Sequence, residues 1–332
     1  MELTVNQLAL CLRGFESLPT HQINHAVFSY SRRILVNTDF AYMLSVGMSQ
    51  IRYSSERLEF RHCEAGLRAL SEWLTLFPHE PTWIQRNLGI PTLIARIDCT
   101  IVDGELKIFE VEERPAGIGI NYQANPQFRS KLETLRKTWP SFGVLVSPKR
   151  EVNDDYLWND TVVWNDSLVS HGNGSLVFLR GEPDESWVRE FQPCSVSSVL
   201  NKGDKSYGVK LGFWAKVTPD DFEDFPWARG FVLKPVQGSK VRGVHIWDPA
   251  KGKGWSTRSQ ILRELQSRGE MYLQPLYSPL RDINGWLVIL RIFYGFDVGS
   301  KEWVCMGGAW VARNNWRVHV TPDSISGIVV VP

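Results

Sequence analysis

The stretch of sequence that decides the fold is residues 96–112, RIDCTIVDGELKIFEVE. Asp103 and Gly104 separate two runs that are rich in β-branched and apolar residues. An Asp-Gly pair between two such runs is typical of a tight turn that joins antiparallel strands. The stretch therefore predicts a β-hairpin.

Four charged residues lie toward the outer end of this hairpin, Arg96 and Asp98 on the first strand and Glu110 and Glu112 on the second. The members of each pair are two positions apart, so each pair lies on one face of its strand. With the turn centred on Asp103 and Gly104, Asp98 comes close to Glu110. We therefore expect three carboxylates and a guanidinium group to converge.

Three carboxylates in a small volume repel one another unless a cation lies between them. Magnesium prefers oxygen ligands in an octahedron completed by water and phosphate oxygens, and an arginine can bind a further phosphate oxygen. Asp98, Glu110 and Glu112 are therefore candidate metal ligands, and Arg96 is a candidate catalytic residue. The alternative is a solvated hairpin face with ordinary cross-strand ion pairs.

A second group of candidate residues lies in FVLKPVQGSKVRG, residues 231–243. Lys234 interrupts an apolar run, where a lysine is costly without an anionic partner such as a phosphate. Gly238 and Gly243 would let the backbone approach phosphate groups. Further donors are offered by Ser239, Lys240 and Arg242. Basic hairpin tips are common, so an ordinary surface loop is the alternative.

Arg291 lies in GWLVILRIFYGF, residues 285–296. This run is so apolar that a charged residue within it is expected to point into a site. Arg291 is therefore a second candidate catalytic residue, with an ion pair at a sheet edge as the alternative.

The composition of the 332-residue chain is that of a folded globular protein, with 43% hydrophobic residues. Its 37 basic and 36 acidic residues give no excess of positive charge for a nucleic-acid backbone. No apolar run reaches the roughly 18 residues of a membrane helix, and the N-terminus lacks a signal-peptide pattern. The 5 cysteines are widely spaced. We expect a cytoplasmic protein with reduced thiols that binds neither nucleic acid nor membranes.

Hydrophobic patterning indicates an α+β fold class. Residues 5–75 carry apolar positions at helical spacing, and residues 127–138 and 256–268 are also predicted helices. Alternating, β-branched runs begin at Pro91, and the C-terminal third is predicted to be mostly antiparallel sheet. No P-loop, Rossmann glycine motif or G-x-S-x-G is present, so any nucleotide must be held in another way.

Taken in order, these residues resemble the synthetase domain of the glutathionylspermidine synthetase family. R-x-D at residues 96–98, E-x-E at residues 110–112 and the following RPAGIG are similar to the family's R-x-D, E-x-N and proline segment. The similarity continues through VLKP, the Gln-Pro strand at residues 274–275 and GGAWVARN at residues 307–314. The resemblance implies a circularly permuted, glutathione synthetase-like ATP-grasp fold.

The resemblance also implies ligands and residue roles. Such ligases bind ATP and two magnesium ions, which here would be held by Asp98, Glu110 and Glu112. Glu112 replaces the family's asparagine, and a glutamate can ligate magnesium equally well. The family's second nucleotide lysine could be Lys202, Lys205, Lys210 or Lys216, of which we take Lys205. The implied nucleotide-binding residues are then Lys205, Lys234, Gly238, Ser239, Gln274 and Leu276.

The implied activity is that of an ADP-forming carboxylate-amine ligase. A substrate carboxylate would attack the γ-phosphate of ATP, and an amine would displace the phosphate from the resulting acylphosphate to give an amide or peptide bond. A kinase or a non-catalytic ATP-binding module would carry the same motifs. The substrates would be small molecules, and the sequence defines neither their identity nor the oligomeric state.

The resemblance divides the chain into four parts. A helical N-terminal segment would span residues 1–85, and a metal-site sheet residues 86–126 and 270–332. An α/β subdomain on the substrate side would span residues 127–200. A lid with the lysine strand and the glycine loop would span residues 201–269.

Overall fold

A computed structural model shows a mixed structure of helices and sheets. It describes residues 52–75, 82–146, 154–159, 162–164, 175–180, 190–198, 206–236, 243–250, 256–277, 285–314 and 324–332. Among these residues, the predicted mixture of helices and largely antiparallel sheets is confirmed. The permuted ATP-grasp topology stays a prediction.

The described strands form three sheets. A six-stranded sheet contains β1 (Arg52–Glu59), β2 (Ile94–Val102), β3 (Glu105–Glu112), β11 (Leu287–Asp297), β12 (Glu302–Arg313) and β13 (Ile325–Val330), in the order β1-β13-β12-β11-β2-β3. A four-stranded sheet contains β7 (Ala215–Val217), β8 (Phe231–Pro235), β9 (His245–Trp247) and β10 (Met271–Pro275), in the order β7-β10-β8-β9. A three-stranded parallel sheet contains β4 (Phe142–Val146), β5 (Val162–Trp164) and β6 (Leu176–Arg180), with β4 in the centre.

The predicted hairpin is confirmed as β2 and β3. Val102 pairs with Glu105, and between them Asp103 and Gly104 have φ angles of 51° and 79°. Two left-handed residues in succession are what a two-residue hairpin turn of type I′ requires. The turn thus fixes the pairing from which the candidate site is built.

Helices cover both faces of the six-stranded sheet. On one face Leu70 of helix α1 (Cys63–Thr75) packs in a core with Ile97, and on the other Phe128 of helix α4 (Pro126–Arg136) packs in a core with Phe293. The described helices are α1 (Cys63–Thr75), α2 (Trp83–Leu88), α3 (Ile118–Ala124), α4 (Pro126–Arg136), α5 (Ser206–Lys210) and α6 (Arg258–Arg268). None of these described helices has the length and apolar character needed to cross a membrane.

The four-stranded sheet contains the second predicted hairpin. Phe231 of β8 pairs with Trp247 of β9, and the sheet packs on α6 through a core that includes Leu233 and Leu265. The capping box of Thr257 and Gln260 starts this helix. The tip of the hairpin, residues 237–242, lies outside the described residues.

The prediction of helix throughout residues 5–75 is wrong for residues 52–59. These residues form β1, which runs parallel to β13, with Leu58 opposite Val329. Pairing with a strand from the far end of the chain is a tertiary effect that local spacing does not report. The helix is confirmed in α1, and residues 1–51 lie outside the described residues.

The assignment of residues 270–332 to the metal-site sheet is wrong for β10. This strand pairs with β7 and β8 in the four-stranded sheet, with Tyr272 opposite both Lys216 and Lys234. An apolar, β-prone run predicts a strand but not the partner of that strand. The other domain boundaries stay predictions.

Candidate functional site

The charged residues predicted from the hairpin lie side by side on one face of the six-stranded sheet. Across the β2–β3 ladder Asp98 lies opposite Glu110, and Arg96 lies opposite Glu112. On the other side of β2, Arg291 of β11 lies opposite Asp98. Directly opposed residues of antiparallel strands point to the same face, which we call the carboxylate face. The expected convergence is observed, while the roles of these residues stay predictions.

The carboxylate face depends on a β-bulge that the sequence analysis did not identify. Cys99 pairs with Ile108, but the next pair is Asp98 with Glu110, so Phe109 is an extra residue in β3. In a regular ladder Phe109 would lie opposite Asp98. Both glutamates would then point to the other face, because a shift of one residue reverses the side-chain direction.

A signal for this bulge is present in the sequence. Ile108 and Val111 both belong to the core beneath α1, although they are three positions apart. Two residues of a regular strand that share a face are separated by an even number of positions. An apolar spacing of three within a strand therefore indicates an inserted residue.

Arg96 is the central cation of the carboxylate face. Its Nε donates to Asp98 Oδ1 at 2.6 Å and its Nη2 to Asp98 Oδ2 at 3.0 Å. Nη2 also lies 3.2 Å from Glu112 Oε1, and Nη1 donates to the carbonyl oxygen of Ala116 at 2.8 Å. Burial alone would lower the pKa of Arg96, but the charges of Asp98 and Glu112 outweigh it and raise the pKa above its ordinary value. Arg96 is thus committed to holding two of the carboxylates.

Arg291 is more open to solvent than Arg96, with 22% of its side chain exposed against 3%. Its Nε is 3.8 Å from Asp98 Oδ2 and has no hydrogen-bond acceptor among the described residues. Burial and the charge of Arg96 lower the pKa of Arg291, and the neighbouring carboxylates oppose this shift. An arginine nevertheless stays charged at neutral pH. Arg291 is therefore a cation that a bound anion could still engage.

The three carboxylates offer a donor set suited to magnesium. One oxygen each of Asp98, Glu110 and Glu112 lie within 4.8 Å of one another. Ligands on opposite sides of an octahedral magnesium ion, each about 2.1 Å from it, are separated by about 4.2 Å. A small movement of the side chains would close the difference. The oxygen-only donor set and the spacing both fit a hard divalent cation.

The four-stranded sheet touches the carboxylate hairpin at the bulge. Lys234 Nζ donates to the carbonyl oxygen of Phe109 at 3.3 Å and lies 4.9 Å from the ring centroid of Trp214. Gln274, whose exposed fraction is 1%, donates from Nε2 to the carbonyl oxygen of Ile108 at 3.2 Å. Two residues predicted to bind the nucleotide therefore contact the strand that carries Glu110 and Glu112.

The loop after β3 is held by residues that the sequence analysis missed. Arg180, a fully buried residue at the end of β6, donates from Nη1 to the carbonyl oxygens of Arg114 at 2.9 Å and Pro115 at 2.5 Å. Its Nε donates to Asp155 Oδ2 at 2.8 Å. No local motif marks these residues, because the parallel sheet brings them together from distant parts of the chain.

Three of the predicted nucleotide-binding residues lie outside the described residues. They are Lys205, Gly238 and Ser239. Leu276 follows β10, and its backbone N–H already donates to the carbonyl oxygen of Gly230 at 2.9 Å. Any contact of Leu276 with a nucleotide would therefore use another part of this residue.

Comparisons with known proteins do not assign a family. No protein-family model and no curated protein matches the chain. Among solved structures, the chain is similar to a proposed gamma-glutamylcysteine synthetase from Methylobacillus flagellatus KT, with 9% sequence identity and a TM-score of 0.43. The similarity covers 79% of this chain and 85% of that chain. At this level of similarity, the function of that protein does not transfer to this chain.

Proposed function

We propose that this protein is an ATP-dependent, magnesium-dependent ligase that joins the carboxylate of one small molecule to the amine of another. The observation that carries the proposal is the convergence of Asp98, Glu110 and Glu112 with Arg96 and Arg291 on one sheet face. Oxygen ligands for a divalent cation beside guanidinium groups are what phosphoryl transfer from ATP requires.

The residues of the carboxylate face have different proposed roles. Asp98, Glu110 and Glu112 would hold magnesium, which would neutralise charge on the phosphate oxygens. Arg96 orients Asp98 and Glu112, since all three of its nitrogens already contact protein oxygens. Arg291, the more exposed of the two arginines, stabilises the phosphoryl group as it is transferred.

Lys234 supplies a phosphate contact from the four-stranded sheet. Its ammonium group bonds to Phe109, the residue next to Glu110, and it lies close to the ring of Trp214. A lysine is a mobile point charge with three donors, so its ammonium group can turn toward a phosphate oxygen. The family resemblance implies four further nucleotide-binding residues, Lys205, Gly238, Ser239 and Leu276.

The proposed reaction has two steps. The substrate carboxylate takes the γ-phosphoryl group and ADP leaves; the amine then attacks the acyl carbon and phosphate leaves. No covalent link to the protein is needed. Exclusion of water from the site would protect the acylphosphate from hydrolysis.

The test is an incubation of the purified protein with magnesium, ATP and pooled amino acids, peptides and polyamines. ADP release and new product masses are followed, with Asp98→Ala and Lys234→Ala as matched variants. Substrate-dependent ADP release with a new amide mass, lost in both variants, supports the ligase. A phosphorylated product instead would identify a kinase.

The absence of ATP binding to the folded wild-type protein would overturn the nucleotide assignment. The carboxylate hairpin would then be a structural cluster of ion pairs. Binding of ATP without consumption under any of these conditions would favour the non-catalytic ATP-binding module.

A further inference from the structure

We propose that Gln274 is a positioning residue for the metal ligands, acting through the bulge in β3, rather than a direct contact of the nucleotide. The inference rests on the proposed magnesium site at Asp98, Glu110 and Glu112. It differs from the role that the family resemblance implies for Gln274.

Two consecutive carbonyl groups of β3 bond to the four-stranded sheet. Ile108 and Phe109 are consecutive, and both of their carbonyl oxygens accept hydrogen bonds from the four-stranded sheet, one from Gln274 and one from Lys234. In a regular strand successive carbonyl groups point to opposite sides. The two adjacent contacts are therefore possible because of the bulge, and they hold it from outside the hairpin.

The bulge in β3 controls the direction of two of the proposed metal ligands. It sets the side-chain direction of Glu110 and Glu112 relative to Asp98. Glu110 directly follows the inserted residue, so a change in the backbone at Phe109 moves this carboxylate first. A metal site needs its ligands held within a few tenths of an ångström, and residues that fix the ligands are commonly as important as the ligands.

The side chain of Gln274 bonds to the backbone of β3. The residue is buried, and one N–H of its side-chain amide donates to the carbonyl oxygen of Ile108. A buried amide that donates to the backbone of a neighbouring sheet is placed to hold that sheet. Removal of the donor would leave the Ile108 carbonyl without this bond in a buried place.

The test measures metal and nucleotide binding separately, with no need for turnover. Mn²⁺ serves as the metal probe because electron paramagnetic resonance reports its free concentration, and ADP without metal serves as the nucleotide probe. Gln274→Met keeps the length of the side chain and removes the donor. Gln260→Met is the matched control. It makes the same chemical change in the capping box of α6, the helix that packs on the four-stranded sheet, and not at β3.

We expect Gln274→Met to raise the Mn²⁺ dissociation constant by about tenfold or more, as is typical for loss of an outer-shell partner, with ADP affinity within about twofold of wild type. Gln260→Met should leave the affinity for Mn²⁺ within about twofold, although it loosens the helix end. Should Gln274→Met fail to fold by circular dichroism, Gln274→Asn retains an amide that is too short to reach Ile108.

Each other outcome has a distinct meaning. Unchanged Mn²⁺ affinity in Gln274→Met would overturn the inference and leave the proposed function intact. Loss of ADP affinity with normal Mn²⁺ binding would make Gln274 a nucleotide contact. If wild-type protein and Asp98→Ala bind Mn²⁺ equally, the metal site itself is wrong, and the proposed function fails together with the inference.

Discussion

Asp98 and Arg291 lie directly opposite each other on neighbouring strands, with Arg291 Nε 3.8 Å from Asp98 Oδ2. Arg96 holds the same carboxylate much more tightly, through hydrogen bonds of 2.6 and 3.0 Å. Asp98 thus faces two arginines whose surroundings affect their charges differently. The fold favours the charge of Arg96, whose pKa is raised, and disfavours that of Arg291, whose pKa is lowered.

The two arginines should therefore respond differently to replacement by methionine. Arg96→Met leaves buried carboxylates without their main partner, and we expect the free energy of unfolding to fall by about 3 kcal/mol. Arg291→Met removes a charge that the fold disfavours, so we expect stability to be unchanged or slightly raised. ATP turnover should nevertheless fall about a hundredfold in Arg291→Met, because a donor to the transferring group is lost.

Urea unfolding and ADP release in the same preparations check both expectations. A loss of stability in Arg291→Met as large as in Arg96→Met would contradict the conclusion that the fold disfavours the charge of Arg291. Normal turnover in Arg291→Met would remove it from the catalytic residues.

Removal of the charge at Lys234 should weaken nucleotide binding. We expect Lys234→Met to lose about 2 kcal/mol of binding free energy, roughly a thirtyfold rise in the ATP dissociation constant, because a charge-assisted hydrogen bond to phosphate is lost. Lys301→Met, an exposed lysine in the turn between β11 and β12, makes the same chemical change as a control. Calorimetric titration measures both, and equal affinities would argue against a phosphate contact at Lys234.

The buried pair of Arg180 and Asp155 should show strong energetic coupling. Arg180→Met and Asp155→Asn each remove one partner of a buried ion pair, and we expect each to cost about 3 kcal/mol of stability. In the double variant both charges of this pair are gone and only Asp154, 3.9 Å from Arg180 Nη2, still loses its cation, so the cost should fall at least about 2 kcal/mol short of the sum. The exposed pair Arg61 and Glu59 is the control, with an expected coupling below about 1 kcal/mol. Additive costs for the buried pair would show that Arg180 acts mainly through its bonds to the loop.

The parts of the site that the sequence predicted are those set by local pattern. The Asp-Gly turn and the alternation of residues around it predict the hairpin, so Asp98 and Glu110 could be placed close to each other, whereas their shared face depends on the bulge at Phe109, which was not predicted. Arg291 was predicted to point into a site because a charged residue within an apolar strand is costly elsewhere. In these cases the physical cause lies within a few residues of the prediction.

The parts that were missed depend on contacts between distant segments. The partner of β1 is β13, some 270 residues later, and the partners of β10 are β7 and β8 instead of a strand of the six-stranded sheet. Arg180 reaches the loop after β3 only once the parallel sheet has formed. Propensity predicts that a strand exists, but pairing is decided by the whole set of competing strands.

The position of Arg291 also depends on a glycine of the neighbouring strand. A Cβ atom at Gly308 would lie 1.9 Å from the carbonyl oxygen of Arg291, so Gly308→Ala must displace the Arg291 backbone. We expect a loss of about 2–3 kcal/mol in stability, together with reduced turnover. Gly89→Ala, at the end of α2, is the matched control, because a Cβ there meets nothing within 4 Å and the only cost is a left-handed φ of 69°. That cost is about 1 kcal/mol and should leave turnover per folded molecule unchanged. Urea unfolding and ADP release distinguish the two, and a full retention of turnover in Gly308→Ala would mean that Arg291 need not be held where the sheet now holds it.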